Sequence, residues 1–370
     1  MRPRARDVGI DIGVMPTGPL NAITDVLDVR VGQTTLVSGE GALVPGVGPV
    51  RTGVTVILPH GGNLFRDKVP AAAHVINGFG KCIGQEQIDE LGVLEGPIAL
   101  TSTLNVGLVA DALISYGIRN NADIGIATST INPVVGECSD QLLNDIQGRH
   151  VRTEHVLAAL DGASCGVVDE GGVGAGTGML AFGFKGGIGT ASRVATAELG
   201  GWTVGVLVLA NFGSRAQLVI DGVPVGRDLD ADVNPQPERG SIIMIVATDA
   251  PLLDRGLRRL ARRAGIGLAR TGSLAGHGSG DYVLSFSSAP AVRIPHDPRE
   301  LTLEIELLLD SGRAIDMLFQ ATVEATEEAI LNALLRAETM VGRDGFIAEA
   351  LPIARVQELL RRAGRLREDY

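Results

Sequence analysis

Residues 221–248 read DGVPVGRDLDADVNPQPERG followed by SIIMIVAT. The first part carries three prolines and four aspartates and has no periodic apolar face, the composition of an exposed linker or loop. The second part is an apolar, β-branched run of strand length, the composition of a buried strand. The change falls at one bond, Gly240–Ser241. A glycine can reach backbone angles closed to other residues, so it could present its carbonyl to the Ser241 hydroxyl. Attack would turn the amide into an ester, and water would release a serine with a free α-amine. Such an amine has an ordinary pKa near ~7.7–8.0 and can take a proton from the neighbouring hydroxyl. The dipeptide is more ordinarily the closure of a loop before a strand, and at this point the self-cleavage reading stands as the lesser of the two.

Similar short β-branched runs recur at 54–58, 98–101, 124–129, 204–210, 242–247 and 282–286, bounded by Gly, Pro, Asn or Asp. Helical periodicity occupies 104–116, 153–160, 252–264, 313–341 and 353–365. Its strongest instance is IDMLFQATVEATEEAILNALLRAETM (315–340), with apolar residues every three or four positions and acidic residues on the other side. Strands and helices are mixed through the chain without strict βαβ alternation. That pattern predicts an α/β or α+β layered architecture of sheets covered by helices, and leaves the strand order open.

Composition narrows the function. The chain has 370 residues, 45% of them hydrophobic, enough for one large domain or two medium ones. Glycine is in excess, 50 residues against a usual share of ~7%, and clusters inside apolar stretches such as 171–193, as close backbone approach in a packed fold requires. A net charge of −11 argues against a nucleic-acid surface. The basic cluster Arg255, Arg258, Arg259, Arg262 and Arg263 has helical spacing and reads as a solvated helix face. Three cysteines without CxxC spacing suit buried thiols in a reducing compartment. MRPRARDVGID has no apolar run after it, and the longest apolar stretches, 204–212 and 242–248, fall well short of the ~18 residues that span a bilayer. A soluble, cytoplasmic protein without a membrane partner is the expectation.

The familiar catalytic templates are missing. The nearest approach to GxSxG, His277-Gly278-Ser279-Gly280-Asp281, lacks the first glycine. There is no HExxH, no paired histidine spacing and no Walker A sequence, and GGVGAGTG misses the dinucleotide register. Asp230 and Asp232 fall in the linker and read as solvated. No metal or organic cofactor is indicated, so a hydrolase here would need an unusual base.

Several blocks in one order resemble the DmpA-like family of L-aminopeptidase/D-esterases, β-peptidyl aminopeptidases and nylon-oligomer hydrolases. They are PTGPLNAITDV (16–26), VRVGQTTL (29–36), RTGVTVILP (51–59), INPVVGE (131–137), AGTGMLAFGFKGGIGTASR (175–193), LANFGSR (209–215), RGSIIMIVATDAPL (239–252), SGDYVLSFS (279–287) and EATEEAILNALLRAETMVGRDG (324–345). The resemblance implies one catalytic domain over 1–370, cut into an α chain 1–240 and a β chain 241–370. It implies a four-layer αββα sandwich, similar in its layers to the N-terminal-nucleophile hydrolases though differently connected. Ser241 matches the family nucleophile. Ser279 and Asp281 match the serine and acid of its SG(D/E) motif, which relay protons and orient the nucleophile. Asn211 matches the asparagine that donates to the oxyanion, and Glu137 the acid that receives the substrate's free amine. A homo-oligomer, a tetramer of αβ heterodimers, is implied by the resemblance alone.

Two stretches depart from the family pattern. Where relatives continue VVGE with TNDGYLND, this chain has CSDQLLND, which puts Leu142 in place of a tyrosine that helps bind the oxyanion. A leucine donates no hydrogen bond, so Asn211, backbone N–H groups or another hydroxyl, such as that of Tyr116, would have to serve. The family's NGNGE stretch is replaced by Asn77-Gly78-Phe79-Gly80-Lys81, which reverses a charge near the expected substrate region. Three hypotheses follow. The first is a self-processing N-terminal-serine amidohydrolase that removes N-terminal residues from short peptides, amides or esters. The second is an endo-acting hydrolase of non-standard amides such as β-peptides or ω-amino acid oligomers. The third, kept open by Leu142, is a binding or structural homologue that has lost catalysis.

Overall fold

The computed structural model describes residues 2–229, 240–298, 300–309 and 311–367. Its longer strands are β1 (Arg30–Ser38), β2 (Val50–Leu58), β3 (Asp67–Gly78), β4 (Ile98–Ser102), β5 (Val134–Cys138), β6 (Gly187–Val194), β7 (Thr203–Asn211), β8 (Gly240–Thr248) and β9 (Ser279–Ser287). The longer helices are α1 (Val106–Asn120), α2 (Thr153–Asp161), α3 (Asp254–Arg270), α4 (Arg313–Arg336) and α5 (Ile353–Arg362). One sheet runs β1-β2-β4-β5 with Cys82–Ile83 at its edge; the other runs β6-β7-β8-β9-β3 with Ile294–Pro295 beyond. Within the second sheet β8 and β9 are parallel, while β6/β7, β7/β8 and β9/β3 are antiparallel.

Side-chain alternation explains why β8 reads as unbroken apolar sequence. Ile242, Met244 and Val246 face α3 and α4, packing with Leu257, Leu260, Ala264 and Leu318. Ile243, Ile245 and Ala247 face the other sheet, packing with Leu100, Val134 and Cys138. Both faces of the strand are buried, so both must be apolar. On the far side of the first sheet α1 and α2 bury Val109, Leu113, Val156 and Leu160 against Val54, Val56 and Val135. The result is the expected four-layer αββα sandwich.

Two expectations need correction. Residues 124–129 form no strand: the N–H groups of Ile126, Ala127 and Thr128 all donate to the Asp123 carbonyl, wrapping the β-branched run into a turn. The acidic residues in the body of α4 pack inward. Glu324 and Glu328 are buried and grip the fully buried Arg193 of β6, at 3.1 and 2.6 Å. Burial works to raise the Glu328 carboxyl, but the Arg193 and Arg6 guanidinium groups outweigh it and hold it below the usual range. The segment 221–229, read as exposed linker, is exposed at Gly222, Pro224, Arg227 and Asp228 but packs elsewhere. Ile220 bridges Val223, and a short helix, Val225–Leu229, buries Val225 in the core beside α5. Asp230, Asp232 and the rest of 230–239 lie outside the described residues.

Candidate active site

Three strand ends meet at one edge of the larger sheet. Asn211 closes β7, Gly240 and Ser241 open β8, and Ser279 opens β9. The register sets Asn211 opposite Ser241 on one side of β8; on the other it sets Gly240 opposite Ser279, Ser241 opposite Gly280, and Ile242 opposite Asp281. Gly240 has φ +114°, and a Cβ there would stand 1.8 Å from the Asn211 carbonyl oxygen. Only glycine fits both the angle and the space. Gly280 is required for the same spatial reason, since its Cβ would stand 2.7 Å from the Phe79 carbonyl oxygen.

Ser241 is nearly buried, and its Oγ accepts the Gly280 N–H at 3.1 Å. Its own carbonyl accepts the Cys138 thiol at 3.4 Å. Alternation puts the Ser241 side chain on the inter-sheet face with Ile243, whereas Ser279 and Asp281 share the helix-facing side with Val283. Ser279 Oγ donates to Asp281 Oδ1 at 2.6 Å, both residues being fully buried. The serine–acid pair therefore stands on the strand beside the Gly240–Ser241 peptide.

Asn211 is held at both ends of its amide. Oδ1 accepts the Leu180 N–H at 2.9 Å, and Nδ2 donates one proton to the Ser139 carbonyl at 3.1 Å. The second Nδ2 proton has no partner among the described residues, which is the condition an oxyanion donor must meet. Lys185 organises the loop that carries Leu180. Fully buried, it donates to the carbonyls of Gly176, Met179 and Gly186 at 3.0, 3.1 and 2.8 Å. Burial pushes this ammonium down to about 7.

Glu137 closes the site from the other sheet. Its Oε1 accepts the Lys81 N–H at 3.0 Å, its Oε2 accepts the Thr103 hydroxyl, and the Lys81 ammonium stands 3.9 Å away. A Cβ on Gly80 would lie 3.3 Å from Glu137 Oε1 and 3.4 Å from Gly280 Cα. Gly80 thus bridges the carboxylate and the strand that supports Ser241. Asn77 Nδ2 donates to the carbonyls of Gly276, His277 and Ser279, fixing the approach to β9.

The structure also corrects one expectation and adds residues that sequence reading missed. Tyr116 lines a cavity of about 290 Å³ with Gly61, Asn63, Glu95 and Ile131. That cavity lies at the starting ends of β4 and β5, one strand length, ~13 Å, from the Glu137 end. Tyr116 therefore supplies no hydroxyl to the site. Tyr282, nearly buried on β9, does border it, with its ring against Gly80. Burial raises its phenol, the negative charges of Glu137 and Asp281 add to this, and a hydrogen bond with the Gly80 backbone opposes it. Tyr282 stands inside SGDYVLSFS, and its neighbours in sequence gave no sign that it borders the site. Leu142 is half exposed, in the loop whose Ser139 carbonyl holds Asn211. The same loop is anchored by fully buried Asp140, which accepts the hydroxyls of Thr52 and Ser102 at 2.6 and 2.8 Å. Burial pushes the Asp140 carboxyl up to about 6 against these hydrogen bonds.

A serine at the head of a central strand, backed by a buried hydroxyl–acid pair and an amide donor inside an αββα sandwich, marks a hydrolase of the N-terminal-nucleophile kind, an aminopeptidase or amidase. Residues 21–348 match peptidase family S58, and the chain belongs to that family. It is 44% identical over 363 residues to the β-peptidyl aminopeptidase BapA of Sphingosinicella xenopeptidilytica, covering 95% of this chain and 89% of that protein. Its fold matches the crystal structure of the PH0078 protein from Pyrococcus horikoshii OT3 with TM-score 0.93 and 52% identity, over 98% of this chain and 100% of that one. It matches the L-aminopeptidase D-Ala-esterase/amidase of Ochrobactrum anthropi, described as a variant of the Ntn hydrolase fold, with TM-score 0.91 and 40% identity, over 99% and 100% of the two chains.

Proposed function

We propose that this enzyme cuts its own Gly240–Ser241 bond and then uses Ser241 to remove N-terminal residues, β-amino acid residues in particular, from short peptides and amides. The observation that carries the proposal is the convergence of Asn211, Ser241 and the Ser279–Asp281 pair at one sheet edge, around a glycine whose carbonyl carbon is bonded to the serine nitrogen. In processing, Ser241 Oγ attacks the Gly240 carbonyl, the C–N bond breaks as nitrogen takes up a proton, and water hydrolyses the ester. Gly240 leaves as a carboxylate and Ser241 keeps a free amine.

In turnover that amine takes the Oγ proton as Oγ attacks the substrate carbonyl and returns it to the leaving nitrogen as the C–N bond breaks; water then hydrolyses the Ser241 ester and frees the serine. Ser279, held by Asp281, orients the amine. The free Nδ2 proton of Asn211 stabilises the oxyanion, a contribution of the order of 10²–10³ in rate. Glu137 receives the substrate's ammonium, which restricts the enzyme to chain ends. The preference for β-residues is supported by the 44% identity to the β-peptidyl aminopeptidase BapA. The proposal carries with it a cytoplasmic, cofactor-free tetramer of αβ heterodimers, which size-exclusion chromatography of the purified protein tests.

A denaturing gel is the decisive experiment. Two fragments, the smaller with N-terminal sequence Ser-Ile-Ile-Met, are expected, and Ser241→Ala stays full-length and inactive. A chain that stays intact on prolonged incubation, or turnover by Ser241→Ala, refutes the assignment.

A further inference from the structure

The loop 79–81 brings to the site a charge that the reaction described above does not use. Lys81 donates its backbone N–H to Glu137 Oε1 at 3.0 Å and keeps its ammonium 3.9 Å from the same oxygen. The carboxylate is 4% exposed and the lysine side chain 56% exposed, so the acid is buried while its cation faces solvent. The pair adjoins the nucleophile: Glu137 lies against Gly80, Gly80 against Gly280, and the Gly280 N–H holds Ser241 Oγ.

A substrate ammonium that reaches Glu137 meets the Lys81 ammonium there. Two cations sharing one carboxylate repel each other, which weakens binding of a residue whose only charge is its amine. The conflict vanishes when the incoming residue carries its own carboxylate beside the amine. The ammonium then pairs with Glu137, the carboxylate pairs with Lys81, and four charges alternate in sign. An ammonium and a carboxylate borne on one carbon match the scale of the 3.9 Å gap between Glu137 and Lys81.

We infer that Glu137 and Lys81 together form a subsite for a zwitterionic N-terminal residue, and that β-linked aspartyl peptides and amides are the substrate class it fits. In such a substrate the α-amine and α-carboxylate share one carbon, and the scissile amide is made by the side-chain carboxyl. The amine then lies as far from the reacting carbonyl as in any β-peptide. Hydrolysis consumes one water, breaks the amide C–N bond and releases aspartate and the free amine. The inference rests on Ser241 as nucleophile and Glu137 as amine acceptor, and adds Lys81 as the residue that sets specificity.

The test compares β-aspartyl p-nitroanilide with β-alanyl p-nitroanilide on the purified enzyme. The expected kcat/KM favours β-aspartyl by about tenfold or more, roughly 1.4 kcal/mol, and the preference shrinks as salt is raised. Lys81→Ala lowers the ratio at least tenfold, with β-alanyl turnover rising as Glu137 is released from its partner, while Lys81→Arg keeps the ratio. A wild-type preference for β-alanyl, or a Lys81→Ala variant in which both substrates fall in proportion, overturns the inference and leaves the proposed function standing. Failure to hydrolyse either substrate together with an uncut Gly240–Ser241 bond overturns the proposed function, and this inference with it.

Discussion

Gly240→Ala is the substitution whose consequence can be worked most fully from the structure. It adds one methyl group, yet Gly240 sits at φ +114°, where an L-residue pays roughly 1–3 kcal/mol of backbone strain. The methyl carbon would lie 1.8 Å from the Asn211 carbonyl oxygen, 2.8 Å from its carbon and 3.2 Å from Phe212 Cα. These are backbone atoms of the neighbouring strand, so relief requires β7 and β8 to part at their ends, a further ~1–3 kcal/mol by analogy with overpacked cores. The expected loss of stability is therefore about 2–6 kcal/mol. The same movement drags Asn211 from Ser241, and a misplacement near 1 Å costs on the order of 10²-fold in rate. A time course of processing on denaturing gels, run beside thermal unfolding, reads both effects. Ser241→Ala serves as the control, since it blocks processing without a clash and should retain the wild-type Tm to within a few degrees. A Gly240→Ala protein that is cut at the wild-type rate and unfolds at the wild-type temperature refutes the account of the bond.

Other perturbations separate the roles of the surrounding residues. Glu137→Gln removes the charge that receives the substrate ammonium and should raise KM for free-amine substrates far more than for amine-blocked ones; equal effects on both would sink the assignment. Lys185→Met leaves the carbonyls of Gly176, Met179 and Gly186 without their shared donor. Because Leu180 in that loop orients Asn211, kcat should fall about tenfold or more with little change in KM, and a change confined to KM would contradict it. Asp140 titrates near 6 in the fold, above its ordinary 3.8, so its stabilising contribution is complete below about pH 4 and is lost as pH rises through 6. Asp140→Asn has no such loss. Between pH 4 and pH 7.5 its stability should gain on wild type by up to about 3 kcal/mol, two pKa units at 1.36 each; parallel pH profiles in denaturant unfolding would disprove the assignment.

Much of the candidate site could be named from the sequence, though by two different routes. Gly240–Ser241 stood out locally, because linker composition meets strand composition at one bond, and strand and helix periods are equally local signals. Ser279, Asp281, Asn211 and Glu137 carried no such signal, and only the ordered resemblance singled them out. Local signals also misled where tertiary partners intervene. Glu324 and Glu328 stand opposite the apolar residues of their helix, yet buried Arg193 claims them. Val225 in the supposed linker is covered by a distant part of the core.

The sequence by itself determined the layered α/β class and marked the bond at which we propose that chemistry begins, since both depend on the order and polarity of neighbouring residues. Only the tertiary structure decided that β8 and β9 run parallel in the register that sets Gly240 beside Ser279, that Lys81 stands on Glu137, and that Tyr116 lies a strand length away. Strand register comes from burying both faces of β8 against elements distant in the chain, and a one-residue slip would turn every side chain to the wrong face. No residue records that outcome in its immediate neighbours.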